Sequence, residues 1–271
     1  MPQSGVRPRR LVAVVGTGTD VGKTWVAARL LSDLRAAGLR VAARKPAQSY
    51  EPDDDPATRD AAVLGAASGE RAEDVCAPHR WYETAMAPPM AAAALGRPPF
   101  GIADLVDELR WPGARDEPSS SVDVGLVETA GGVRSPLADD GDCLDLCRAL
   151  MPDLVVLVAD AGLGTINSVR LTIAALAAPR TSLAAPHAPP APPAPHAPPA
   201  SPAPHAPPAP PAPHAPPASP PSPASVVVVL NRFDGGVDLH SRNLEWLRTR
   251  DALTVVTMPG AESALAELVA G

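Results

Sequence analysis

Apolar residues along this chain gather into short runs, separated by charged or glycine-rich breaks. Leu11–Val15, Leu154–Ala159 (LVVLVA) and Ser225–Leu230 (SVVVVL) are almost uninterrupted. Runs of this length without polar alternation are the pattern of strands buried on both faces. Further strands are expected over Leu39–Ala43, Val122–Val127 and Leu253–Thr257. Between them the pattern turns helical, over Gly22–Ala37, Thr58–Ala67 and Ile102–Arg110, and from Gly162–Asn167 to about Ala177. Trp81–Leu95, rich in Ala and Met around Pro88-Pro89, reads as a loop and then a helix. Strands alternating with helices predict an α/β fold: a doubly wound, mostly parallel sheet, right-handed, with helices on both faces.

The pattern disappears from about Ala178 to Ala224, where most of the chain's 36 prolines fall. APHAPPAPP-like units recur there, with His187, His196, His205 and His214 nine residues apart. Such a tract has almost no charge and no bulky apolar residue, so it cannot build a core. It is expected to be PPII-like or disordered. The organisation expected is one P-loop NTPase-like domain from residues 1–177 and 225–271, interrupted by an insert over 178–224. Histidine repeats can bind metal, but a neutral expansion in a tolerant loop is the plainer reading. The insert joins a helix end to a strand start, which places it at the edge opposite the strands' carboxyl ends.

Net charge is −7 and the sequence pI is about 5.3. That balance argues against a nucleic-acid partner and leaves triphosphate binding open, because local groups set that affinity. Three cysteines provide no disulfide framework and fit a reducing, cytoplasmic setting. Cys143 and Cys147, four apart, would share a helix face as buried small residues. Met1–Arg10 is basic, but the apolar run behind it is short for a signal peptide, and no stretch is long enough to span a membrane.

Candidate chemistry begins at Val12–Thr24, VAVVGTGTDVGKT. A strand breaks there into a glycine-rich turn and opens a helix, the context a phosphate-binding loop needs. Gly16, Gly18 and Gly22 let backbone N–H groups approach a phosphate chain. Lys23 can reach the terminal phosphates, and the Thr24 hydroxyl can ligate Mg²⁺. The common spacing would put glycine at position 17, where Thr17 stands, so this loop is one residue longer. Pro46 cannot continue a ladder, which leaves Lys45 at the carboxyl end of its strand, where ligands bind in such sheets. Glu128 ends the strand VDVGLV and is followed by small residues, as a Walker-B-like metal site requires. Asp60, near a helix start, reads on its own as a first-turn acid. Backbone N–H groups at Gly162–Asn167 can hold a carboxylate.

Taken in order, these segments resemble the dethiobiotin synthase family. GTGTDVGKT is similar to its long loop G-T-D-T-x-V-G-K-T, with Gly18 where an Asp is usual and Asp20 where Glu is common. KPAQS (Lys45–Ser49) resembles K-P-[VA]-x-[ST]. Arg59–Leu64 lies where the family has its Asp metal ligand. VETAGG (Val127–Gly132) resembles V-E-G-A-G-G, with Thr129 replacing a glycine. GLGTIN resembles the segment before the dimer-interface helix, and NRFD the adenine-contacting segment. The resemblance implies ATP-dependent closure of a cyclic urea from 7,8-diaminopelargonic acid and CO₂ by a Mg²⁺-requiring homodimer. It implies Lys23, Lys45 and Thr19 as catalytic residues and Thr24, Asp60 and Glu128 as metal ligands. Nucleotide would lie against Gly16, Asp20, Val21, Gly22, Lys23, Thr24, Asn231, Pro259 and Glu262. Ser49 and Gly131 would meet the carbamate or amine, and Gly164 and Asn167 the substrate carboxylate from across the dimer.

Other readings share the loop. A P-loop ATPase that partitions DNA or positions the division site would carry an additional lysine early in the loop, and Gly16–Asp20 has none. A cobyrinate-type amidoligase would need a glutaminase domain, for which there is no room. An inactive nucleotide-binding scaffold is disfavoured by the presence of Lys23, Thr24, Lys45 and Glu128 together.

Overall fold

A computed structural model of the protein describes residues 7–113, 121–178 and 225–271. The expected insert, apart from Ala178, lies outside the described residues. The described chain belongs to one compact unit. It begins with β1 (Arg10–Gly16), α1 (Lys23–Ala36), β2 (Val41–Arg44) and a short β3 (Gln48–Ser49). Then come α2 (Asp60–Ser68), α3 (Ala72–Val75), β4 (Trp81–Tyr82), α4 (Pro88–Ala94) and α5 (Ile102–Glu108). The middle of the chain forms β5 (Val124–Glu128), β6 (Pro136–Ala138), β7 (Gly141–Asp142), α6 (Cys143–Leu150), β8 (Leu154–Asp160) and α7 (Thr165–Ala177). It closes with β9 (Ser225–Asn231), α8 (Asp238–Thr249), β10 (Val255–Thr257) and α9 (Glu262–Ala270).

The main sheet runs β10-β9-β8-β1-β5-β2, with every neighbouring pair parallel. β5 therefore lies between β1 and β2, and winding reverses around β1, so the loop after β1 opens where ligands bind in such sheets. Strand side chains alternate between two cores. Val12, Val14, Val156 and Val158 face the cluster that includes Leu30, Leu31 and Leu34 of α1. Ala13, Val15, Val155 and Leu157 face Val169 of α7 and Leu247 of α8. Both faces are thus covered, which explains the unbroken apolar runs. Cutting any of the three α1 leucines to Ala should cost about 2–5 kcal/mol.

Several boundaries differ from expectation. β2 starts at Val41 rather than Leu39, because Gly38 (φ +84°) ends α1's turn and the Arg40 backbone N–H donates to Asp123. β5 starts at Val124 and takes in Glu128. The stretch after β10 forms α9, which buries Leu265 and Val269 in the α1-side core. α8 was not anticipated either. Cys143 and Cys147 are buried free thiols on α6, as their spacing implies. Among the described residues no helix is long and apolar enough to cross a membrane.

Candidate active site

The loop between β1 and α1 takes two left-handed residues, Asp20 (φ +56°) and Gly22 (φ +88°). Glycine suits position 22, because that left-handed conformation strains other residues and a Cβ there would run into Asn231 Nδ2. Gly18 is different: a Cβ there meets nothing within 4 Å, so a side chain at that position is not sterically barred. Lys23 is buried, and its ammonium reaches back across the loop to the Gly18 carbonyl at 3.1 Å. Burial, and secondarily the charge of Lys45, pull the Lys23 pKa below the usual lysine value.

Beside the loop, β2 and β5 bring their carboxyl ends together. Lys45, just beyond β2, is 3% exposed, so it is not a solvated strand-end lysine. Its Nζ lies 2.7 Å from both Asp60 Oδ2 and Glu128 Oε1. Burial alone would lower its pKa; the two carboxylates reverse that and raise it. Glu128 is fully buried, and desolvation holds its carboxyl above the ordinary range despite the Lys45 ion pair. Burial pushes the Asp60 carboxyl the same way, but the pairing with Lys45 wins and its pKa is lowered.

The Thr24 hydroxyl sits 2.7 Å from Asp60 Oδ1 and 2.8 Å from Glu128 Oε1. One hydroxyl proton can serve only one of those oxygens. Glu128 Oε2 is also buried without a hydrogen-bond partner. Two carboxylates and a hydroxyl converging this way form a hard-oxygen donor set suited to Mg²⁺, which takes one or two carboxylates and completes its shell with phosphate and water. Among the described residues no group of three or more His, Cys, Asp or Glu could hold a metal ion by itself.

These groups line a cleft of about 780 Å³. It brings together Thr19, Asp20, Gly22, Lys23, Thr24, Lys45, Ser49, Asp60, Glu128 and Gly131. The Ser49 hydroxyl is buried without a partner. Gly16 ends β1 and Val21 belongs to the loop; neither is among the residues lining the cleft. Asn231 is buried, and its Nδ2 donates to the Val21 carbonyl at 3.0 Å. Pro259 follows a cis peptide bond, and Glu262 starts α9 while accepting from the Gly260 N–H at 2.9 Å. Gly164 and Asn167 are exposed at the start of α7, away from this cleft.

Gln48 and Arg232 are among the cleft residues that the sequence pattern does not single out. Gln48 accepts the Ala61 N–H at 3.0 Å and so fixes the first turn of α2, which aims Asp60 at Lys45. Its position inside KPAQS was the available signal. Arg232 lines the cleft mouth, and nothing local in NRFD marks it. Thr129 is accommodated by burial: its hydroxyl donates to the Val14 carbonyl of β1 at 3.3 Å.

A parallel sheet whose first strand feeds a glycine loop and a Lys-Thr helix start, with a strand-end acid beside it, defines a P-loop nucleotide-binding α/β protein. Residues 10–184 match the AAA domain family AAA_26. An ATP-dependent dethiobiotin synthetase of Caulobacter vibrioides (strain NA1000 / CB15N) is 40% identical over 174 residues, covering 64% of this chain and 76% of the relative. One from Rhodococcus jostii is 43% identical over 169 residues, 62% of this chain and 68% of the relative. The solved signal recognition particle receptor FtsY from Elizabethkingia anophelis aligns with a TM-score of 0.45 at 14% identity, over 94% of this chain and 59% of that one. That last likeness is too distant to bear on activity. The chain belongs to this AAA domain family and to the dethiobiotin synthetases.

Proposed function

We propose that this protein is an ATP-dependent dethiobiotin synthetase that closes the cyclic urea of dethiobiotin from 7,8-diaminopelargonic acid and CO₂. The observation that carries the reading is the Lys45–Asp60–Glu128–Thr24 cluster, set beside a triphosphate loop in one cleft. In the reaction, one amine nitrogen bonds to CO₂ and loses a proton, giving a carbamate. A carbamate oxygen bonds to the γ-phosphorus and ADP leaves. The second amine then bonds to the same carbon, loses a proton and expels inorganic phosphate.

Each step develops or relocates negative charge on oxygen, which fixed cations stabilise. Lys23 serves the terminal phosphates. Lys45 serves the carbamate and the oxygen bridging to phosphorus. Thr24, Asp60 and Glu128 would hold Mg²⁺, which supplies charge neutralisation at the phosphates. Thr19, Ser49 and Gly131, all at the cleft wall, position the diamine and carbamate. Gly16, Asp20, Val21 and Gly22 shape the loop around the phosphates, while Asn231, Pro259 and Glu262 form the base side. Gly164 of the partner subunit and Asn167 of the partner subunit receive the substrate carboxylate in a homodimer.

ADP release tests the reading. Release should require the diamine and bicarbonate together. Steady ATP hydrolysis that ignores the diamine would instead favour an ATPase of the partitioning class.

A further inference from the structure

We propose that Arg232 is a positioning residue that aims the phosphate-binding N–H groups of the nucleotide loop. The proposal rests on the reading of residues 16–24 as that loop. Arg232 follows β9 in a left-handed conformation (φ +55°), which is uncommon for a residue with a side chain and marks a constrained position. Its Nη2 donates to the Asp20 carbonyl at 2.6 Å, and its Nη1 pairs with Asp160 Oδ2 at 3.0 Å. The preceding residue, Asn231, holds the next loop carbonyl, that of Val21. Two adjacent side chains thus grip two consecutive loop carbonyls.

The consequence follows from the planar trans peptide, in which the C=O of one residue and the N–H of the next point in opposite directions. Holding the Asp20 carbonyl against Arg232 fixes the Val21 N–H on the opposite side of that peptide. Holding the Val21 carbonyl does the same for the Gly22 N–H. These are the groups that a phosphate oxygen must meet, so preorganising them removes an ordering cost from binding. The guanidinium is itself held in place. Asp160 ends β8, and its Oδ1 accepts the Gly162 N–H at 2.8 Å, so Arg232 is braced against the turn that opens α7. A planar fork can span the carbonyl and the carboxylate together; a single ammonium cannot do so in the same geometry.

The test compares Arg232→Ala, Arg232→Lys, Asp160→Asn and the double variant with wild type, after confirming folding by circular dichroism. Hydrogen exchange of the nucleotide-free protein should show residues 17–22 exchanging faster in Arg232→Ala. MgATP titration should show about tenfold weaker binding, with KM for ATP rising more than kcat falls. Arg232→Lys should recover only part of the loss. Asp160→Asn should weaken binding as well, and the double variant should be no worse than Arg232→Ala, because the two act as one unit. A remote surface pair supplies the control: Arg242→Ala breaks the Arg242–Asp238 contact on α8 and should leave exchange at 17–22 and ATP affinity unmoved. Unchanged exchange and affinity in Arg232→Ala would overturn the proposal. So would an Asp160→Asn protein that binds like wild type while Arg232→Ala does not, since Arg232 would then act on nucleotide directly. If wild type failed to bind MgATP, the loop reading would fail by itself, and the exchange result would still decide the role of Arg232.

Discussion

The neighbouring strands β2 and β5 carry an ion pair at each end, and the two pairs could hardly differ more. At the amino end, Asp123 accepts three N–H groups from Arg40, from its backbone, Nε and Nη2, at 2.9–3.0 Å. Arg40 remains 44% exposed, and the carboxylate it serves is well satisfied. At the carboxyl end, Lys45 and Glu128 are buried, a second carboxylate joins them, and one carboxylate oxygen has no partner. Two buried ammoniums, Lys23 and Lys45, face two carboxylates there, one of which, Asp60, is still partly exposed. A satisfied surface pair pins strand register. A buried cluster with an orphaned carboxylate oxygen is costly unless a ligand completes it, and a divalent cation at that oxygen would do so.

Substitutions at the two ends should therefore separate activity from stability. The largest effects are expected from Lys23→Ala and Glu128→Ala, each abolishing turnover while circular dichroism still reports a folded protein. Full activity in either would remove the basis for the site. Lys45→Ala should lower kcat by about 10²-fold or more, as removal of a charge-stabilising donor does; an unchanged rate would make Lys45 structural. Acid should act through Glu128 as well. Its carboxyl must be ionised to hold a cation, and burial raises its pKa, so Mn²⁺ binding should fail at a higher pH than an ordinary carboxylate would allow.

Effects at the amino end should be small and of the opposite kind. The Arg40 hydrogen bonds hold the Asp123 carboxyl below its usual pKa. Stability from that shift is present above the unfolded carboxylate value, about 3.9, and is lost as pH falls through the folded value. Asp123→Asn should lower Tm by on the order of 1–2 °C at neutral pH, with the gap closing in strong acid and kcat unaffected. Smallest of all, deleting residues 183–223 should leave kcat nearly unchanged. α7 ends at Ala177 and β9 begins at Ser225, so both flanks fall at the amino ends of the strands.

The six strands of the main sheet and the nucleotide loop were legible in the sequence because apolar runs and GKT are local signals, whereas the two- and three-residue strands β3, β4, β6 and β7 were not. Lys45 and Glu128 could be read as strand-end residues, and in the structure they lie at those ends. Their contact could not be read, since it depends on β5 inserting between β1 and β2. α8 was readable too: Leu244 and Leu247 recur at helical spacing behind the acidic first turn at Asp238. α9 was readable, for Leu265 and Val269 stand four apart behind an acidic first turn. Arg232 had no local signal. Its carbonyl partner lies 212 residues earlier in the chain.

The most direct test is one reaction containing the protein, 7,8-diaminopelargonic acid, bicarbonate and MgATP, read by mass spectrometry. The account predicts a product heavier than the diamine by CO₂ less water, formed only with ATP and one-for-one with ADP. ADP without that product, from protein shown to be folded and to bind nucleotide, would contradict it.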